Sequence, residues 1–351
     1  DAGHLVAWEQ LPLVNYQTIL RSSRDSRPSI DDNTPPIDSV IDSDERVEIN
    51  AKDLRVVISK KTGTIVSLVA NGNDHIVEGP TPNFWRIPTD NDYGNNMAKR
   101  SSIWKRASEN QTLSQIKVIE GNTFVGVRVS VQYPDIASSG EISYNIYGDG
   151  RIIVTHRIEP AQKNLPNLPK FGMRMTIPNE YDDLTWFGNG PHESYWDRKA
   201  SSRVDIFSGK VSEQYHPYVR PQENGNKTDV RWATLRNDMG HGIMITGLLS
   251  FNASHFVPED YDDGFMRDRP DGIMNARRQK KGMHTTDLKE NDIIHLDIDH
   301  LQMGVGGEDS WGAQPLAKYQ IEPKNYIYQF MIYPLDPNDD PSEIYGHHLF
   351  Q

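Results

Sequence analysis

The stretch SYNIYGDGRIIVTH, residues 143–156, decides the fold class of this chain. SYNIY alternates polar side chains with aromatic and β-branched ones, and RIIVTH is rich in β-branched residues, a composition that favours strands. Between the two runs lie Gly148, Asp149 and Gly150. Because glycine adopts the positive φ angles that tight turns require, the sequence predicts a β-hairpin centred on residues 148–150.

Similar runs recur on both sides of the hairpin, each closed by Gly, Pro, Asn or Asp. They are RVEINAKDLRVVISKKTGTIVSLVANG (46–72), TFVGVRVSVQYP (123–134), FGMRMTIP (171–178), HGIMITGLLSFNASHF (241–256), DIIHLDIDHL (292–301) and NYIYQFMIYPL (325–335). Helical periodicity is weak, and the best short-helix candidate is NNMAKRSSIWKRAS, with Met97, Ile103 and Trp104. Many short strands without intervening helices predict an all-β sandwich or barrel.

The composition narrows the classes of function. A formal net charge of -12 argues against nucleic acid as the main partner, since phosphate binding requires a basic surface. No apolar run approaches the roughly 18 residues that cross a membrane. With 0 cysteines, disulfides, thiolate nucleophiles and cysteine-based zinc sites are excluded. A neutral or small ligand fits this composition best.

Residues 22–46 interrupt the strand pattern with a segment rich in Asp, Ser and Pro, which predicts a linker or an exposed crossing strand. Before it, HLVAWEQLPL (4–13) has the alternation of a single strand, which is too little for a domain. We therefore expect residues 1–21 to be the last strand of a truncated domain, 22–46 a linker and 47–351 the β-domain. The chain has neither an initial Met nor a signal-peptide pattern, so we expect a processed or excised segment.

Standard catalytic and metal-binding motifs are missing from the sequence. There is no HExxH, GxSxG or P-loop. GVGGED (304–309) begins like a dinucleotide loop but lacks the final glycine and follows no βαβ pattern. EDYDDG (259–264) departs from a calcium loop in its glycine position and lacks the closing Glu, which favours a solvated acidic turn.

Two acidic clusters, Asp90-Asn91-Asp92 and Glu308-Asp309, are the best local candidates for acid–base chemistry. Glycoside hydrolysis needs two carboxyl groups about 5 to 10 Å apart. The alternative is turn chemistry, in which such side chains bond their own backbone. The sequence does not show which carboxylates meet, so both interpretations remain open.

The turn GVGGEDSWG (304–312) ends in an aromatic residue, Trp311. A Trp on a turn can present its flat face to a sugar ring whose hydroxyl groups find carboxylates or amides nearby. It can equally plug the end of a β-sandwich, and residue type alone favours the plug.

Several stretches, taken together and in order, carry a family resemblance. They are AGHLVAWEQLPL (2–13), NFWRIPTDNDYGNN (83–96), WFGNGPHESYWDRKAS (186–201), YVRPQENGNKTDVRWATL (218–235), FNASHF (251–256), HLQMGVGGEDSWG (300–312) and FMIYPL (330–335). They resemble the C-terminal part of bacterial β-galactosidases of glycoside hydrolase family 2. The resemblance implies an all-β fold, a large antiparallel β-supersandwich that is galactose-mutarotase-like, after the last strand of an immunoglobulin-like linker domain.

The resemblance also implies roles for individual residues. Trp311 would reach the mouth of the active site as a platform for the aglycone or for substrate in a shallow position. Gly94 would begin a loop that shifts as substrate moves deeper, and its unrestricted φ suits a hinge. The expected substrate-binding residues are Trp311, Gly94, Asp90, Asn91, Asp92, Glu308 and Asp309.

In the family, both catalytic glutamates and the metal ligands lie in a TIM barrel upstream of these stretches. We therefore expect no catalytic residue, metal ligand or cofactor in this chain, with magnesium and sodium at the missing barrel. The full protein would hydrolyse terminal β-D-galactosides with retention, through a covalent intermediate. The expected partners are a galactoside and the missing domains of the same polypeptide. We expect neither nucleic acid nor membrane, and the sequence leaves open a homo-oligomer and the compartment, cytoplasmic or periplasmic.

Two alternatives remain for the chain by itself. One is a free carbohydrate-binding module, and the other is an aldose epimerase related to galactose mutarotase. The epimerase would need a His and a Glu that converge on a sugar. His192 and Glu193 are adjacent in sequence, and neighbours on a strand point to opposite faces.

Overall fold

Antiparallel strands form nearly all the regular structure of the computed structural model, which describes residues 9–11, 34–256, 258–261, 284–309 and 312–349. The strands in these ranges are β1 (Ser39–Asp42), β2 (Arg46–Ala51), β3 (Leu54–Ser59), β4 (Ile65–Ala70), β5 (Asn73–Asp74), β6 (Glu78–Asn83), β7 (Thr112–Glu120), β8 (Phe124–Tyr133), β9 (Ser138–Tyr147), β10 (Ile152–Glu159), β11 (Lys170–Pro178), β12 (Asp183–Gly190), β13 (Arg203–Lys210), β14 (Lys227–Arg236), β15 (Gly242–Ser254), β16 (Ile293–Gln302) and β17 (Tyr326–Leu335). The helices are α1 (Asp90–Gly94), α2 (Met97–Arg100), α3 (Ser102–Glu109), α4 (Pro258–Tyr261) and α5 (Pro341–Leu349).

The strands form two sheets. A 5-stranded sheet has the order β1-β2-β3-β4-β5, and a 12-stranded sheet runs β13-β12-β14-β15-β17-β10-β9-β8-β7, with β16, β11 and β6 branching from β15. β15 forks because its residues 242–246 pair with β17, whereas its residues 250–254 pair with β16. The ladders are antiparallel throughout the described residues, which confirms the predicted all-β antiparallel class.

The predicted hairpin is confirmed. β9 and β10 pair in a register that places Ile146 opposite Ile152. In the turn, Gly150 has a φ of 95°, and the Asp149 carboxylate accepts a hydrogen bond from the Arg151 backbone N–H at 3.1 Å. The turn therefore uses both features that the sequence suggested, a glycine in the left-handed region and an Asx side chain.

The predicted short helix is confirmed as the consecutive helices α2 and α3. Met97 and Trp104 are fully buried and belong to the main apolar core, with Ile103 packed against it. The Trp104 indole donates to the Pro166 carbonyl at 2.8 Å, so this buried polar N–H is satisfied. The two helices thereby cover one part of the β-sheet core.

The segment predicted to be a linker or crossing strand contains β1, which pairs with β2 through Val40 and Ile49. A boundary between residues 46 and 47 therefore falls inside β2. Of residues 1–21, only 9–11 are described, and there the Gln10 side chain bonds both backbone polar groups of Val204 on β13. The three-part domain organisation remains a prediction.

Candidate functional site

The acidic cluster at residues 90–92 lies in the helix α1. Thr89 begins the helix with a capping box: its hydroxyl accepts from the Asp92 backbone N–H at 3.2 Å, and the Asp92 carboxylate accepts from the Thr89 backbone N–H at 2.9 Å. This exchange satisfies two amide groups that a helix start leaves without partners. Gly94 is the last residue of α1, so the helix ends at the residue that was predicted to begin a mobile loop, and the movement of that loop stays a prediction.

Asp92 is buried in an ion pair. Its carboxylate lies 2.6 Å from the Arg86 guanidinium, and both side chains are 0% exposed. Arg86 also donates to the Met303 carbonyl at 2.9 Å. Through Arg86, Asp92 therefore anchors α1 to the chain segment that follows β16. Its carboxylate acts in the protein interior, as the partner of a buried cation.

Asp90 and Asn91 bond two other parts of the chain. The Asp90 backbone N–H donates to the Gln222 side-chain oxygen at 3.0 Å, and the Gln222 amide donates back to the Asp90 carboxylate at 3.0 Å. The Asn91 side chain donates to the Val305 carbonyl at 3.2 Å. The guanidinium of Arg220 lies 4.2 Å from the centre of the Tyr93 ring. α1 is thus held from both sides, by residues 220–222 and by the glycine-rich turn.

Asp197 holds the glycine-rich turn by its backbone. Its carboxylate accepts from the Val305 N–H at 3.0 Å and from the Gly306 N–H at 2.8 Å. A Cβ at Gly304 would lie 2.5 Å from the same carboxylate, so only glycine allows this approach. Asp197 is in the quoted stretch WFGNGPHESYWDRKAS, but no local pattern distinguished it from the other carboxylates.

The far end of the turn packs on the end of α1. Gly312 has a φ of 97°, and a Cβ on it would lie 2.4 Å from the carbonyl carbon of Gly94. Asp309 accepts from the Ala313 backbone N–H at 3.0 Å, and Glu308 is exposed. Trp311 and Ser310 lie outside the described residues. The structure therefore brings together Gly94 and the 304–312 turn, two of the features on which the prediction rests.

A buried charged cluster lies on β11 and β16, and sequence analysis missed it. The Lys170 ammonium lies 2.8 Å from Asp297 and 3.0 Å from Asp299, and Arg174 bonds Asp297 at 2.8 Å. Burial raises the pKa of the Asp299 carboxyl to about 8. Burial also acts on Asp297, but Arg174 and Lys170 outweigh it and hold the pKa of Asp297 well below its usual value. The signal was the alternation Asp-Ile-Asp, which places both carboxylates on one face of a strand.

His192 and Glu193 do not converge. The Glu193 carboxylate accepts from the side chains of Arg198 and Tyr218 and from the Gly225 backbone N–H. The His192 ring bonds the Ser201 hydroxyl at 3.0 Å. Because these residues have separate partners, the pair does not form the acid–base couple that an epimerase would need.

No three His, Asp or Glu side chains within the described ranges converge in a way that could hold a metal ion. Among the same residues, no helix has the length and apolar content required to cross a membrane.

Comparison with known proteins identifies relatives of this chain. The family model described as "Beta galactosidase small chain" matches residues 50–332. A β-galactosidase from Priestia megaterium is 33% identical over 341 residues, which are 95% of this chain and 30% of that protein. A β-galactosidase from Streptococcus thermophilus is 28% identical over 300 residues, 85% of this chain and 28% of that protein. The chain therefore spans about 30% of the length of the curated relatives it matches.

Solved structures give more distant matches. A galactose 1-epimerase from Lactobacillus acidophilus aligns with 85% of this chain and 98% of its own length, at a TM-score of 0.45 and 6% identity. A putative aldose 1-epimerase from Escherichia coli gives a TM-score of 0.42 at 8% identity, over 85% of this chain and 99% of that one.

Proposed function

We propose, on the premise that this chain belongs to the β-galactosidase small-chain family, that it is the non-catalytic C-terminal domain of a retaining β-galactosidase. In this proposal the full protein hydrolyses terminal β-D-galactosides, and this chain supplies part of the wall of the carbohydrate pocket. The observation that carries the proposal is the packing of Gly312 on Gly94. It joins α1 to the turn that contains Trp311, and it is supported by the Asn91 bond to Val305.

The proposed wall divides its residues between contact and support. Trp311, with Glu308 and Asp309, would offer an aromatic face and carboxylates to the hydroxyl groups of a sugar. Asp92 has a supporting role, because its carboxylate is buried against Arg86, which in turn bonds the Met303 carbonyl just before the turn. Asp90 and Asn91 hold α1 in place through Gln222 and Val305.

Three carboxylates of low exposure are each paired with a cation. Asp92 is bound to Arg86, Glu193 to Arg198, and Asp297 to Lys170. A retaining glycosidase needs two carboxyl groups about 5 Å apart on either side of the scissile bond. We assign these three carboxylates to structural pairs, and catalysis to the region of the relatives that this chain does not span.

Hydrolysis of an aryl β-galactoside tests the proposal. We expect no turnover by the purified chain and turnover when the chain is joined to its catalytic region. In the joined enzyme, Trp311→Ala should raise KM between about twofold and tenfold, the effect of losing about 0.5–1.5 kcal/mol of aromatic contact.

Met239→Ala is the matched control, because Met239 is 73% exposed in the turn at the opposite end of β14 from Lys227. It should leave KM unchanged. Turnover by the chain alone, abolished by changing one of its own carboxylates, would overturn the proposal.

A further inference from the structure

A cavity of about 400 Å³ opens at the fork of β15. The ladder between β15 and β16 ends where Ser250 pairs with Asp299, and beyond this pair the two strands diverge. Leu248, Leu249 and Ser250 line one side of the cavity, and the end of β16, residues 300–302, lines another. The cavity is therefore a consequence of one strand pairing with two different neighbours.

A bulge in β14 brings a carboxylate to the same cavity. The register of β14 against β15 shifts between Lys227 and Val230, and Asp229 within this bulge has a φ of 52°. A non-glycine residue in this region is strained, and such residues are concentrated at functional sites. Bulges also redirect side chains, and Asp229 lines the cavity.

Two aromatic rings line the cavity, and each is held by a neighbouring ring. The Trp196 ring packs edge-on against Tyr319, with ring centres 5.9 Å apart. The His300 ring stacks on Tyr328 at 5.8 Å. Rings fixed in this way can present a flat face to the C–H groups of a sugar, and the side chains lose little further conformational freedom when the sugar binds.

The polar groups of the lining suit a neutral ligand with many hydroxyl groups. The Lys199 ammonium lies 2.7 Å from the Asp229 carboxylate, and their side chains are 39% and 36% exposed. The two charges cancel, so the cavity has no net attraction for a phosphate or a carboxylate, yet each group can still bond a hydroxyl. The amide of Gln302 adds a donor and an acceptor at the same surface.

We propose that this cavity is a carbohydrate-binding site that takes a neutral pyranose ring. Its volume lies within the range of about 300–1,000 Å³ that is usual for small-molecule sites. It is separate in its residues from the wall formed by α1 and the 304–312 turn. The two are adjacent along the chain, because Trp196 lines the cavity and Asp197 holds the turn.

The test is a titration of the purified 351-residue chain with methyl β-D-galactoside, methyl β-D-glucoside and galacturonate, followed by the NMR signals of the tryptophan indole N–H groups. We expect a neutral glycoside to shift the Trp196 signal with a Kd on the order of 1 mM, and galacturonate to bind no better. Asp229→Asn should weaken binding at least about tenfold in this titration. Trp196→Ala removes the reporter signal, so its binding is followed from the NMR signals of the sugar and should also be weakened at least about tenfold. Trp196→Phe, which keeps an aromatic face, should retain most of the binding in the same measurement.

Asp183→Asn is the control for Asp229→Asn. It removes a carboxylate from a matched surface pair, since Asp183 lies 2.7 Å from Lys210 and its side chain is 49% exposed, and it should leave binding unchanged.

Binding that is lost in Trp311→Ala and kept in Asp229→Asn and Trp196→Ala would overturn this inference and support the pocket wall. If none of the three sugars binds, the inference is overturned too. The hydrolytic assay of the joined enzyme remains a separate test of the proposed function.

Discussion

Gly312 lies so close to Gly94 that a single added methyl group on Gly312 would overlap the Gly94 carbonyl, at 2.4 Å from its carbon and 2.5 Å from its oxygen. The two residues are distant in sequence, yet the end of α1 and the end of the glycine-rich turn form one contact. The two segments therefore have no room to move closer together.

Gly312→Ala should destabilise the chain through both the contact and the backbone angle. Gly72→Ala is the matched control, because Gly72 also has a positive φ, 81°, but a Cβ there would meet nothing within 4 Å. We expect about 1 kcal/mol for Gly72→Ala from the backbone angle, and about 2–4 kcal/mol for Gly312→Ala. Equilibrium unfolding in urea measures both, and equal effects would show that the contact contributes nothing.

Asp92→Ala should lower the free energy of unfolding by about 3–5 kcal/mol, because it leaves the Arg86 guanidinium buried without its partner. Asp90→Ala, two residues away on the same helix, should cost less than about 1 kcal/mol, since the Asp90 side chain is 58% exposed. Unfolding of both variants by denaturant compares them directly. Similar losses in the two variants would contradict the assignment of Asp92 to the interior.

Asp197→Ala should release the glycine-rich turn while leaving the sheets intact. The Val305 and Gly306 amides lose a charged acceptor, and such hydrogen bonds contribute about 1.5–3 kcal/mol. Hydrogen exchange at these two amides should therefore accelerate at least about tenfold, with exchange in β9 and β10 unchanged. Asp53→Ala, at a 58% exposed side chain, serves as the control and should not change exchange at residues 305 and 306.

Stability should fall in acid partly because of His156. Its ring is fully buried, and burial lowers its pKa to about 3 from 6.5. Between these values the unfolded chain binds a proton that the folded chain does not, so the contribution of His156 is fully present above pH 6.5 and is lost as the pH falls toward 3. The slope from one such group is at most about 1.4 kcal/mol per pH unit.

His156→Gln should reduce the slope of the unfolding free energy against pH by an amount that corresponds to about one proton bound on unfolding. The measurement is the difference between the unfolding free energies of the two proteins from pH 7 to pH 4. Subtraction is needed because Asp299 acts in the opposite direction: its pKa is raised to about 8, so it adds stability as the pH falls below that value. An identical slope in both proteins would show that His156 is not the responsible group.

Local sequence patterns were sufficient to predict a hairpin and a short helix. Residues 143–156 predicted the β9–β10 hairpin, because alternation and turn chemistry act between neighbours in sequence. Met97 and Trp104 predicted a short helix for the same reason. For Asp90-Asn91-Asp92 the local pattern left acid–base chemistry and turn chemistry open. The Thr89 capping box and the buried pair of Asp92 with Arg86 place these residues in a helix.

The amino-acid sequence by itself thus determined the antiparallel all-β class and the family, because both depend on order along the chain: strand-forming runs separated by turns, and characteristic stretches in a fixed succession. Only the tertiary structure decided which side chains meet. Asp197 bonds the backbone of Val305, Arg86 pairs with Asp92 in the interior, and Asp229 lines the cavity at the fork of β15. These contacts form because folding buries side chains together and brings backbone segments from different parts of the chain close to each other. The spacing of residues along the sequence does not show which partner a side chain will contact.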